Sequence, residues 1–192
     1  MDVVRRIGAI MFAPDEEWSV IAREPGTPGY LFSQYVAGLA AIPAICGFIG
    51  STLVATATPP GELRWSLLTG LFAAAFSYVL TFVVVYALAI VVDLLAPKFG
   101  GRKDFTNALK LTVYSHTPAW LAGFFLMIPG LRFLALLGLY GVYLFWRGLP
   151  PLMRAPPAKA LPYVGTIVAC AVAIALLVGA IRTALFAVPE LV

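Results

Sequence analysis

From residue 65 to residue 92 the chain carries neither a charge nor a proline. Wound as a helix at ~1.5 Å per residue, that stretch is long enough to cross ~30 Å of hydrocarbon. Lipid leaves such a run few alternatives, because each backbone N–H and C=O must find its partner inside the segment. The rest of the sequence repeats the pattern. A first apolar run covers residues 31–57 with Pro43 inside it, and a second covers 63–96. A third covers 106–128 and holds Pro118; Pro129-Gly130 then turns the chain into a fourth, 131–146, and a fifth covers 161–188. Four of these five meet the length of a span. The fourth, at about sixteen residues, fits a thinned bilayer or a re-entrant hairpin with the third.

Composition agrees. The 192 residues are 61% hydrophobic and 11% charged, where a soluble domain carries roughly 25% charged residues. The expected fold class is therefore all-α: a polytopic membrane protein whose residues 31–192 form a bundle of five transmembrane helices. The excess of 13 Lys and Arg over 9 Asp and Glu does not indicate nucleic acid, because the basic residues flank apolar runs as membrane-edge patches do. With five spans, Arg5, Arg6, Arg23, Lys98, Arg102, Lys103, Lys110, Arg147, Arg154 and Lys159 share one side, against Arg64, Arg132 and Arg182 on the other. That bias predicts a cytoplasmic amino terminus and a carboxyl terminus outside.

Residues 1–30 read as a cytoplasmic amino-terminal interfacial segment. Pro14 suits a first helical turn, Asp15, Glu16 and Glu17 complement its dipole, and Trp18 and Ile21 share a face. A short helix resting on the membrane surface is the plain reading, and a docking site for a soluble partner the sharper one. No cleavable signal peptide is evident. Small residues mark expected helix contacts: Gly38, Ala41, Gly47 and Gly50 in the first span, Gly70, Ala73, Ala74 and Ser77 in the second, Gly138 and Gly141 in the fourth.

Few polar residues enter the apolar zone. Asp93 ends the long uncharged run near Lys98 and Lys110, so it either reaches the interface and pairs there or serves a proton or cation. Asn107, Lys110, Tyr114 and Thr117 recur at helical spacing, and His116, the only histidine, precedes the helix-breaking Pro118. Two readings follow: a structural kink whose polar groups bond one another, or a polar cavity lined by Asp93, Lys110, Tyr114, His116 and Thr117 and open to the cytoplasm. Cys46 and Cys170 have no disulfide or metal spacing, and one histidine is too few for a metal site. Gly100-Gly101-Arg102-Lys103 lacks the setting of a phosphate-binding loop. No catalytic residue, metal or cofactor is expected.

Phe99-Gly100-Gly101, Phe105, Tyr114-Ser115-His116-Thr117-Pro118 and Leu139-Tyr140 running to Gly148-Leu149-Pro150 resemble the Yip family of five-span membrane proteins, named after Ypt/Rab-interacting proteins. The layout matches over residues 14–188, the specific words over 99–151. The resemblance implies five helices and a cytoplasmic amino terminus. Lacking the long cytosolic leader of eukaryotic members, the chain is similar to the bacterial branch, which implies a cytoplasmic (inner) membrane location. Three functions stay open: a non-enzymatic scaffold binding protein or lipid; a transporter or channel for protons, ions or a small solute along the third span; and a lipid enzyme using Asp93 and His116. The expected partners are the bilayer and its anionic lipids, met by Lys98, Arg102 and Lys103, and a second copy of the chain; no protein partner is named by the sequence.

Overall fold

A computed structural model describes residues 2–54, 56–58, 61–186 and 190–191. Two short helices open the chain, α1 (Val3–Phe12) and α2 (Pro14–Arg23). Asp2 caps α1 by accepting from the Val4 amide at 3.0 Å. Pro14 and the acidic Asp15, Glu16 and Glu17 start α2, where free amides and the helix dipole favour negative charge. Four helices are long and apolar enough to cross a membrane: α3 (Pro28–Thr52), α4 (Leu67–Phe99), α7 (Pro129–Met153) and α8 (Pro157–Leu185). Thr27 caps α3 and Ser66 caps α4. Gly100, at φ 75°, closes α4, since a left-handed residue past the last turn favours glycine. Leu71, Phe72, Val83, Leu136 and Leu176 stand exposed on the long helices, which suits contact with lipid and not with water. Short backbone pairing of Thr56–Thr58 with Gly61–Arg64, and of that strand with Glu190–Leu191, leaves the all-helical class unchanged.

The third and fourth segments exchange the roles expected of them. The third is broken into α5 (Phe105–Ser115), α6 (Thr117–Ala122) and a 3-10 turn (Gly123–Met127). Pro118 has no N–H to continue the ladder, so the chain restarts at Thr117. The fourth is continuous instead. Its first part, Pro129–Leu139, is a 3-10 helix, which rises ~2.0 Å per residue in place of ~1.5 Å and so stretches a short apolar run towards the thickness of the hydrocarbon.

The amino-terminal segment folds as two helices. α1 and α2 dock into the bundle, with Ile10, Trp18 and Ile21 fully buried beside Leu111 and Leu149. These three side chains join the core of the bundle, while Val4, Phe12 and Val20 of the same helices stay exposed. Close backbone approach seats the broken third segment. A Cβ on Gly138 would lie 2.9 Å from the Ala119 Cα, and one on Gly141 2.3 Å from the Ser115 carbonyl oxygen. Gly50 and Gly123 make equally tight contacts, with Leu126 and Pro43. Gly38 and Gly47 differ, each having open space where a side chain would be.

Candidate functional site

The polar residues of the third segment fall into three places. Lys110, Tyr114 and Thr117 form one of them, with Lys110 and Tyr114 against the amino-terminal helices. Lys110 is buried, and its Nζ donates to the Ile21 carbonyl at 3.1 Å and the Glu24 carbonyl at 2.5 Å. These are the carbonyls at and just past the end of α2, where an ammonium complements the negative end of the dipole. Asn107, at the start of the same stripe, is held by the Asp104 cap at 3.0 Å.

Above Tyr114 sits Arg6, 1% exposed, paired with the carboxylates of Glu17 and Glu24. Its guanidinium carbon lies 5.6 Å from the centroid of the Tyr114 ring. A buried guanidinium is tolerable only with partners of this kind, since desolvation otherwise outweighs attraction. Trp18 meets Tyr114 edge-on at 6.4 Å, and Tyr35 meets it at 4.8 Å from the other side. Tyr35 comes from a π-wound turn of α3, Leu31–Val36, and shares a 2.8 Å hydrogen bond with the Thr117 hydroxyl. That hydroxyl donates in turn to the Tyr114 carbonyl at 2.7 Å, one of the acceptors that the Pro118 break leaves without an amide. The cluster therefore ties α1, α2, α3, α5 and α6 together with polar groups that satisfy one another.

Asp93 lies elsewhere. The neighbouring Val92 carbonyl accepts the Tyr163 hydroxyl from α8, and Asp93 Oδ1 is buried with no hydrogen-bond partner among the described residues. Among those residues no ion pair joins Asp93 to Lys98, and Lys110 spends its ammonium on the α2 carbonyls. His116 forms the third place. Its Nδ1 pairs with the Thr112 carbonyl at 2.7 Å, and its ring sits 5.7 Å from Trp120. It borders a cavity of about 320 Å³ shared with α4 and α8. A single cavity holding Asp93, Lys110, Tyr114, His116 and Thr117 is thus not what the chain builds. Positions 114 and 116 are ~200° apart around a helix, so Tyr114 and His116 cannot share a face.

The basic loop is open. Lys98, Arg102 and Lys103 are exposed, and the Arg102 amide anchors the loop to the Met153 carbonyl at 2.8 Å. Arg6, Glu17, Glu24 and Tyr35 are the cluster members that sequence reasoning missed. One signal was available: Arg6 and Ile10 are four residues apart, on the one face of α1 that is buried.

No solved structure matches the chain. It is 30% identical over 155 residues to the inner membrane protein YohC of Escherichia coli K12, an alignment covering 78% of this chain and 80% of that one. The counterpart from Escherichia coli O6:H1 aligns with the same identity and coverage. The Yip1 domain model matches residues 8–180, a span that takes in the docked α2, the broken third segment and its glycine contacts. With four apolar helices long enough for a bilayer, this is an integral membrane protein, and it belongs to the Yip1 domain family.

Proposed function

We propose that the chain is a non-enzymatic scaffold of the bacterial inner membrane, with all five apolar segments crossing and the amino terminus cytoplasmic. The seal over the third segment carries this reading. Arg6 and Trp18 cover Tyr114, Tyr35 bonds the buried Thr117, and Lys110 is spent on the carbonyls of α2. A conduit needs polar groups that are free to exchange partners along a wet path, whereas these are paired in a dry contact. The excess of basic residues on the amino-terminal side supports the orientation, and the name of the Escherichia coli relatives supports the membrane. The exposed Lys98, Arg102 and Lys103 offer the scaffold an anionic-lipid contact.

Reconstituted protein tests it against transport. Proton and cation flux should equal that of protein-free vesicles, and His116→Ala and Asp93→Asn should change thermal stability without changing flux. Flux that His116→Ala abolishes in a normally folded protein overturns the scaffold reading in favour of a transporter or channel.

A further inference from the structure

The strongest unassigned feature lies at the end of the bundle away from α1 and α2. The buried residues of α8 are Ala160, Tyr163, Val164 and Ile167, so its amino-terminal half packs and its distal half stands away from the core. A cleft of about 530 Å³ lies between α3, α4 and this half of α8, and it shares Ser77, Thr81 and Arg182 with the cavity beside His116. Phe48, Ala73 and Ala74 belong to its apolar wall. Among the described residues two arginines line it and no acidic residue does. Arg132 donates to the Gly50 carbonyl at 3.0 Å and has no carboxylate partner among the described residues. Arg182 lies over the Trp65 ring at 5.3 Å and has no carboxylate partner among the described residues.

We propose that this cleft binds one anionic phospholipid, its phosphate on Arg132 and Arg182 and an acyl chain along the apolar wall. Its size is that of an ordinary ligand pocket. The arginines sit near helix ends, Arg182 close to the last residue of α8 and Arg132 close to the first of α7, at the depth where headgroup phosphates lie and tryptophan anchors such as Trp65 collect. Guanidiniums beside hydrocarbon are costly unless paired, and phosphate is the anion that lipid supplies there, in a geometry matched to the guanidinium fork. In this proposal the acyl chain enters from the bilayer, beside the distal half of α8 that the core leaves uncovered. The site is separate from the basic loop of the other face and does not depend on the scaffold reading; retained lipid and flux are read independently.

The test is native mass spectrometry of the full chain in detergent, with phosphatidylglycerol and phosphatidylcholine as probes. Phosphatidylglycerol should be retained in preference, and Arg132→Gln with Arg182→Gln should weaken retention by about tenfold, as expected for lost charge-assisted hydrogen bonds. Gly47→Phe, which enters open space in the cleft, should also lower retention at unchanged thermal stability. Neutralising Lys98, Arg102 and Lys103 should leave the tightly retained lipid in place, and excess inorganic phosphate should not displace it. Equal retention by the arginine variant, equal retention of both lipids, displacement by phosphate, or a lipid-free dimer holding the cleft closed would each overturn the proposal.

Discussion

Arg6 lies across the face of Tyr114, 5.6 Å from the ring centroid, although the two are far apart in sequence and on elements expected to be independent. The contact makes the amino-terminal helices part of the bundle. Glu17 and Glu24 hold the guanidinium from one side, and the ring receives it from the other. Removing Arg6 leaves Glu17, whose side chain is 16% exposed, without its partner. Arg6→Met should therefore cost about 3 kcal/mol, in the range for breaking a buried pair. Glu24→Gln should cost about 1 kcal/mol or less, because the Glu24 side chain is 39% exposed and water replaces much of what is lost. Thermal unfolding in detergent measures both, and equal effects would remove the distinction between buried and rim partners.

Gly138→Leu and Gly141→Leu should each destabilise the protein by about 2 kcal/mol or more, as overpacking against backbone does. The atoms they would meet belong to Ala119 and Ser115 backbone and cannot rotate aside. Gly38→Leu is the control, since nothing lies within 4 Å of its Cβ position. A control as unstable as the other two would place the cause in the glycine and not in the contact.

The proposed topology rests on the charge bias and the length of the fourth segment. A reporter that matures only in the cytoplasm should be active when fused after Lys103 or Lys159 and silent after Val54. Activity at Val54 would remove the five-span arrangement with a cytoplasmic amino terminus.

Lys98, Arg102 and Lys103 should draw the amino-terminal face to anionic lipid by ~1 kcal/mol each. Neutralising all three should weaken binding to phosphatidylglycerol-rich vesicles at low salt and leave zwitterionic vesicles unaffected. Unchanged binding would assign this loop to something other than lipid.

Much of this architecture was legible because lipid admits so few backbone solutions. The uncharged run before Asp93 and the close-packed pair Gly138 and Gly141 follow from that constraint. Pro118 also announced a disturbance, though not that the helix would restart there. What the sequence hid is long-range. Arg6 reads as a basic flank until folding brings Glu17, Glu24 and Tyr114 around it, and no local pattern encodes those partners. The 3-10 winding of Pro129–Leu139 was hidden because apolar residues are compatible with either helix. The polar residues separate on angle: Tyr114 and Thr117 share a face, whereas His116, ~200° from Tyr114, points to the other side of the segment. The cleft holding Arg132 and Arg182 depends on where α8 leaves the bundle, a property of packing between distant elements.

The central claim is that the polar core of the third segment is sealed from water by α1, α2 and the Tyr35 turn of α3. It is tested most directly by thiol labelling of Thr117→Cys in a variant with Cys46 and Cys170 replaced by alanine. Thr117 is 0% exposed and bonded to Tyr35. A membrane-impermeant maleimide should modify Cys at 117 roughly a hundredfold more slowly than Cys at the exposed position 103, since reaction awaits local opening. Labelling at comparable rates, from either side of the membrane, would mean an open aqueous path and would contradict the scaffold account.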